Sequence, residues 1–235
     1  MRKPTQITKL KSGQIDSSLA SLLESITDGK EILKLKSGIE VFSQGAEADT
    51  IYFIQSGKVK VTIAWGEVEE LAIAILGPSD FFGEGCLIGQ SLRISTVTTA
   101  ESSTLIKIQK EAMLQAFLAQ PELSERFIAC LIVRNIDIEE DICNQLFNSA
   151  EKRLAHVLLK LDRYGRADFL PDTRLSRVSH ETLADLVGTT KAQVLGFLDK
   201  FRKLGLIQYD GNGGIIVRSR MLADTVLAVG GAHTR

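Results

Sequence analysis

The sequence predicts an α+β chain: an antiparallel β-roll, one long helix, and a small winged helix-turn-helix domain. Three observations carry this expectation. Between Glu31 and Ile108, short β-rich runs are separated by glycines, the texture of an antiparallel roll or barrel. From Pro121 onward, apolar residues recur every three or four positions, the period of a helix. Beyond residue 149, a helix, a tight turn, a second helix and a Gly-rich hairpin follow one another.

Composition narrows the class. The chain has 235 residues, 44% of them hydrophobic and 24% charged, which excludes a disordered chain, a collagen and a coiled-coil rod. No stretch approaches the roughly 18–20 apolar residues of a membrane span. Met1-Arg2-Lys3-Pro4 is followed by no apolar run, so no signal peptide is expected, and the expectation is a cytoplasmic protein with no membrane partner. Three cysteines, Cys86, Cys130 and Cys143, fit a reducing compartment. The net charge of −1 hides an asymmetry: residues 1–148 sum to −6 and residues 149–235 to +5. A basic C-terminal part points toward nucleic acid, with chance scatter as the alternative.

The first element is a short helix, capped by Asp16 or Ser17, with Leu19, Leu22, Leu23 and Ile26 on one face. Strands follow at Ile39–Phe42, Ile51–Ile54, Val59–Ile63 and Leu71–Leu76, divided by Gly45, Gly57, Gly66, Gly77 and Gly83. Pro121 suits the first turn of the long helix. Its narrow seam, Phe127, Leu131, Asn135, Ile138 and Ile142, reads as a dimer interface, with Asn135 fixing register between two copies. The alternative is a helix packed on its own β domain. Asn148-Ser149 breaks the pattern. The expected domains are therefore 1–120, an effector-sensing roll; 121–148, a dimerisation helix; and 149–235, a winged helix.

The C-terminal part carries the clearest chemistry. Helices are expected over Glu151–Tyr164, Ser179–Val187 and Thr190–Lys203, and a hairpin around Asp210-Gly211-Asn212-Gly213-Gly214. Gly188 supplies the turn, where positive φ is cheap. Thr190 and Gln193 form a capping box that places free amides and a positive helix end where phosphate would lie. Lys191, Lys200, Arg202, Lys203, Arg218 and Arg220 add positive charge. The expected partner is double-stranded DNA.

Taken together, the chain resembles the Crp/Fnr family of bacterial transcription regulators over about residues 20–220. In the roll the resemblance rests on Gly45, Gly57 and Gly83 at matching separations and on Phe82-Gly83-Glu84. In the C-terminal part it rests on Leu183-Ala184-Asp185-Leu186-Val187-Gly188-Thr189-Thr190-Lys191 and Lys203-Leu204-Gly205-Leu206-Ile207. It implies a cyclic-nucleotide-binding-type roll, a homodimer joined along residues 121–147, an inverted-repeat operator about one DNA turn (~34 Å) between half-sites, and RNA polymerase as a further partner. An effector in the roll would act by shifting how the hinge at residues 148–150 holds the DNA domains.

The residues also depart from that pattern. Cyclic-AMP-binding members hold the ribose with a Gly-Glu pair and the phosphate with an Arg-Ser or Arg-Thr pair. Gly83-Glu84 matches, with Gly85 and Cys86 following. With Ala100 as anchor, Ile94 fills the arginine position, Ser95 and Thr96 follow, and Arg93 falls one residue early, on the opposite face of a strand. A shorter loop would restore Arg93 to the site. The base-contacting pair of the long helix is replaced by Ile138 and Glu139, and isoleucine offers no hydrogen bond. The expected pocket is therefore empty or adapted to another effector, with cyclic AMP disfavoured and Glu84 either a ligand group or a structural carboxylate. Cys86 reads as a reactive thiol or, more simply, a small buried apolar residue.

The reading head departs too. Where the best-known members carry Arg-Glu-x-x-x-Arg, this chain has Lys191, Ala192 and Gly196. The expected phosphate contacts are Ser179, His180, Thr189, Thr190, Lys200 and Arg202. Lys191 and Gln193 are the expected polar contacts near the bases, with Ala192 and Gly196 allowing close approach. No cysteine grouping suits an iron–sulfur cluster, and His156, His180 and His233 lack ligand spacing, so neither metal nor haem is expected. No nucleophile–base pair or phosphate loop points to an enzyme. Two other readings stay open: a cyclic-AMP-responsive activator with Arg93 in the phosphate site, and a nucleotide-binding-type module that regulates a partner protein.

Overall fold

The computed structural model describes residues 19–66, 68–163, 173–175, 178–210 and 214–228. The expected cap at Asp16 or Ser17, the end of the Glu151–Tyr164 helix, the hairpin-turn residues 211–213 and His233 lie outside them. The order is α1 (residues 19–24), β1 (Lys30–Leu35), β2 (Glu40–Phe42), β3 (Thr50–Ser56), β4 (Val59–Trp65), β5 (Val68–Leu76), β6 (Phe81–Phe82), a 3-10 turn (Glu84–Ile88), β7 (Thr96–Thr99), β8 (Ser103–Gln109), α2 (Lys110–Ala119), α3 (Pro121–Phe147), α4 (Ala150–Arg163), β9 (Thr173–Arg174), α5 (His180–Val187), α6 (Lys191–Lys203), β10 (Ile207–Tyr209), β11 (Ile215–Val217) and α7 (Ser219–Ala228).

Two four-stranded antiparallel sheets, ordered β1-β8-β3-β6 and β2-β7-β4-β5, make the roll. β3 shows why its run is apolar throughout. Tyr52 and Ile54 point into the roll with Val59, Val61, Phe82, Val97 and Leu105. Ile51 and Phe53 point the other way, onto Leu19 and Leu23 of α1, Met113 of α2 and Leu123 of α3. A strand buried on both faces loses the period-2 alternation that marks a half-exposed one.

The same outer core corrects the expected dimer seam. Phe127 is only 6% exposed. Its ring lies 4.9 Å from that of Phe81 and 5.0 Å from that of Phe117. Leu131 packs on the same cluster. Both residues serve their own roll. The open apolar stripe is displaced around α3, through Ile128, Ile132, Ile138, Ile142 and Leu146, with Asn135 and Glu139 between them. The helix carries two apolar faces, one for each of the alternatives read from the sequence. It ends at Asn148, whose extended backbone turns the chain into α4.

The C-terminal unit packs α4, α5, α6 and α7 around Leu154, Leu158, Leu183, Val187, Val194, Leu198, Phe201, Ile207, Val217 and Leu222. β9 extends the β10–β11 hairpin to three strands. This unit docks on the roll: Ile75 of β5 joins its core, and the Ala72 N–H donates to Asp185 Oδ2 at 3.2 Å. Arg153 of α4 braces the hinge by donating to the carbonyls of Val187 (2.7 Å) and Asn148 (2.9 Å).

Candidate nucleic-acid interface and effector pocket

The turn after β6 and the segment before β7 converge inside the roll. Arg93 is 6% exposed and Ile94 is 68% exposed, which overturns the expectation that Ile94 holds the inward position. The face-flip argument applies only inside a strand, and β7 begins at Thr96. Residues 93–95 lie outside any strand, and Leu92 makes only an isolated bridge to Glu47. Backbone bonds between Arg93 and both Gly45 and Ala46, each 2.8 Å, fix the loop so that the guanidinium turns inward. The structure thus agrees with the shorter-loop alternative.

Within the roll, Arg93 Nη2 donates to the Thr50 carbonyl at 2.7 Å and the Thr50 hydroxyl at 2.9 Å, and Nη1 donates to the Gly83 carbonyl at 3.0 Å. The guanidinium carbon sits 4.4 Å from the Phe42 ring centre and 5.9 Å from that of Tyr52. Tyr52 stacks on Phe82 at 4.9 Å. The buried Nε has no hydrogen-bond partner, and among the described residues no carboxylate pairs with this cation. Buried charges are ordinarily paired, so the setting favours an anion. Gly83 has φ +77°, and a Cβ there would come 2.6 Å from Arg93 Nη1, so glycine is needed for both backbone and space.

The other expected pocket residues divide. Glu84 and Gly85 open the 3-10 turn, and Cys86 is buried within it, where desolvation pushes its thiol up, the setting of a small core residue. Glu84 accepts from Arg134 Nη1 of α3 at 3.1 Å, and the same nitrogen donates to the Phe81 carbonyl at 2.9 Å. Ser95 is half-buried, and the Thr96 hydroxyl accepts from the Gln44 N–H at 3.0 Å. Ile138 is exposed one turn beyond Arg134, and Glu139 accepts from Asn135 at 2.9 Å. Thr50, Phe42, Tyr52 and Arg134 were not read from the sequence. Strand alternation points Tyr52 inward, but nothing local pairs Thr50 with Arg93 or Arg134 with Glu84.

On the C-terminal unit, local sequence builds the geometry directly. Ser179 caps α5 by accepting from the Thr182 N–H at 3.0 Å. Gly188 closes α5 in the left-handed region at φ +66°. Thr190 caps α6 by accepting from the Gln193 N–H at 3.3 Å. The α6 core face is Val194, Leu198 and Phe201, and the opposite face presents Ala192, Leu195, Gly196 and, half-buried, Asp199. The polar groups at its start are tethered: Lys191 pairs with Glu181 of α5, and the Thr189 hydroxyl donates to the Gln193 amide oxygen. Lys200 pairs with Glu151 of α4 at 2.7 Å. Asp199 is held by Arg202 and Lys203, which keep its carboxyl below the usual range. Lys200, Arg202, Lys203 and Arg220 are exposed, and His180 is half-buried beside the α5 cap.

Among the described residues, no group of three or more His, Cys, Asp and Glu is placed to hold a metal ion, and no helix is long and apolar enough to cross a membrane. The family model described as "Cyclic nucleotide-binding domain" matches residues 32–120, and that described as "Crp-like helix-turn-helix domain" matches residues 152–222. The chain is 28% identical over 204 residues to the CRP-like cAMP-activated global transcriptional regulator of Mycobacterium tuberculosis, covering 86% of this chain and 91% of that one. It is 29% identical over 191 residues to the cyclic AMP receptor protein of Thermus thermophilus, covering 80% and 84%. In fold it matches FixK2 of Bradyrhizobium japonicum (TM-score 0.70, 17% identity, 83% of this chain and 96% of that one). It also matches the c-di-GMP-responsive regulator CLP of Xanthomonas campestris (TM-score 0.68, 24% identity, 84% and 98%). With a nucleotide-type roll and a Crp-like helix-turn-helix in this order, the chain belongs to the Crp/Fnr family of DNA-binding transcription regulators.

Proposed function

We propose that the chain acts as a homodimer that binds an inverted-repeat operator through α6 and senses an anionic effector in its roll. One observation carries the DNA part: a Thr190-capped α6 set across Gly188 from α5, with its outer face open and cations along its rim. Ser179, His180, Thr189, Thr190, Lys200 and Arg202 would contact phosphates, and Lys191 and Gln193 would approach bases beside Ala192 and Gly196. The pairs that tether Lys191 and Lys200 are exposed and weak, so phosphate readily displaces them. The exposed stripe of α3 would join two copies, residues 1–120 would sense, and residues 149–235 would bind DNA. RNA polymerase is the protein such a regulator would recruit or block.

The test is fluorescence anisotropy with duplexes selected from a random pool. A palindromic site that survives excess competitor DNA, bound by a species sedimenting as a dimer, is the expected result. Binding that vanishes with competitor at moderate salt would reduce the interface to a merely basic surface.

A second reading is favoured by Arg93. The case against cyclic AMP leaned on Ile94 filling the arginine position, and that ground is gone. A phosphate-bearing effector, with a cyclic nucleotide as one instance, would meet the guanidinium, whose hydrogen bonds now go to carbonyl and hydroxyl oxygens and to no carboxylate. Ile138 still counts against adenine. Calorimetric titration of cyclic AMP decides: saturable binding lost in Arg93→Gln makes this a cyclic-nucleotide activator, and no heat with folded protein leaves another anion.

A further inference from the structure

The outward face of α6 is almost bare of hydrogen-bonding groups. Ala192, Leu195, Gly196 and Asp199 lie at positions i, i+3, i+4 and i+7, one stripe opposite the core residues Val194, Leu198 and Phe201. Leu195 is 42% exposed, a large apolar side chain at the centre of a face otherwise set for a charged partner. Beside it, nothing lies within 4 Å of where a Gly196 Cβ would stand, so the backbone itself is open to close approach. The one acidic group in the stripe is already engaged: Asp199 Oδ1 meets Arg202 and Oδ2 meets Lys203 at 2.7 Å. Those two cations offset the charge of Asp199 and draw its carboxylate to the end of the stripe, one turn beyond Leu195.

Base chemistry then decides what fits. In the major groove, guanine offers two acceptors and cytosine an amino donor, and each needs a polar partner once water is expelled. Thymine alone offers an apolar group, its 5-methyl. We propose that Leu195, flanked by Ala192 and Gly196, reads thymine 5-methyl groups, so that each half-site carries A·T pairs beneath the middle of α6. The assignment rests on the DNA-binding reading above and deepens it. Specificity comes from burial of the methyl against Leu195, a contact that cytosine cannot supply; the polar edge groups of A·T and G·C pairs are equally unmatched by this face. Lys191 and Gln193, at the start of the helix, read the outer positions of the half-site.

The experiment begins with selection of duplexes from a random pool by the full chain, with and without added cyclic AMP. In the selected operator, each thymine is replaced in turn by deoxyuridine, which keeps the Watson–Crick pairing and removes only the methyl. The expected result is a loss of roughly three- to fivefold per methyl, about what burial of one methyl group supplies. It should fall at one or two positions in each half-site and be negligible elsewhere. Leu195→Ala should bind the thymine operator more weakly and lose its sensitivity to uracil. Leu195 is exposed and packs on no core, so this variant should melt with the parent protein. In a converse arm, a G·C pair placed at the sensitive position should weaken binding, and 5-methylcytosine there should recover part of it.

Three outcomes overturn the proposal. If a site is selected but binds equally with uracil, or carries G·C pairs beneath α6, methyl readout is wrong while DNA recognition stands. If Leu195→Ala keeps the uracil sensitivity, another residue reads the methyl. If no sequence is selected under either condition, the DNA-binding reading fails, and this one with it.

Discussion

Glu84 and Arg134 meet at 3.1 Å, joining the turn beside Arg93 to the middle of the long helix. Arg134 also holds the Phe81 carbonyl, so one side chain braces both ends of the link between β6 and the 3-10 turn. Arg134→Ala should cost about 1–2 kcal/mol in urea unfolding, because it strands a carbonyl as well as a carboxylate. Glu84→Gln should cost less, since the amide oxygen still accepts. A double-mutant cycle should give a coupling energy of about 1 kcal/mol. Zero coupling would mean that the pair is a surface contact that does not hold the turn to the helix.

A second expectation concerns Gly83. A Cβ there would stand 2.6 Å from Arg93 Nη1 and 3.2 Å from the Thr50 carbonyl, with φ at +77°. Gly83→Ala should therefore destabilise by about 1–3 kcal/mol, from backbone strain and a displaced guanidinium. Part of that cost should disappear in the Arg93→Ala background, where the guanidinium clash is gone and the backbone strain and the close Thr50 carbonyl remain. Fully additive effects in the cycle would show that Arg93 does not hold the position described.

These two sites mark what was legible in the sequence. The turn at Gly188 and the cap at Thr190 were legible, because each acts within four residues of itself. The expected capping box is only half formed, since the Gln193 side chain accepts from the Thr189 hydroxyl instead of reaching back to the Thr190 N–H. Arg93 was misread because a period of two was extended into a loop anchored from afar, by Gly45 and Ala46. Phe127 packs on its own roll because α3 carries two apolar faces, and a single seam cannot show which apolar residue belongs to which. The Glu84–Arg134 pair spans fifty positions and leaves no local signature.

Asp80 makes stability depend on pH. Burial raises its carboxyl to about 6, with Asp137 adding to the rise and the Gly77 N–H, Arg134 and Lys160 opposing it. An acid whose folded pKa lies above its unfolded value stabilises the fold below the unfolded value, here about 3.8. That contribution fades as pH rises and is gone above about 6. Asp80→Asn keeps an acceptor for the Gly77 N–H, which now donates at 2.8 Å, and removes the charge. The variant should gain on the order of 2 kcal/mol at neutral pH and lose this component of the pH dependence. Thermal melts at stepped pH test it, and parallel profiles for variant and parent would remove Asp80 as the source.

The two faces of α3 can be separated by one core and one surface substitution. Phe127 sits between Phe81 and Phe117, so Phe127→Ala leaves a cavity and should cost about 3–5 kcal/mol. Ile132, five residues further, on another face of the helix and 55% exposed, is not part of the core that holds Phe127. Ile132→Glu should leave the unfolding free energy of an isolated subunit within about 0.5 kcal/mol. In a dimer it would set two carboxylates against an apolar seam, where burying an unpaired charge is far more costly than losing a contact. Sedimentation should then show monomers at concentrations where the parent is dimeric, and palindrome affinity should fall toward that of a half-site. If Ile132→Glu still sediments as the parent does, the displaced stripe is not the interface. If instead Phe127→Ala dissociates the dimer without loss of subunit stability, the seam first read from the sequence is the right one after all.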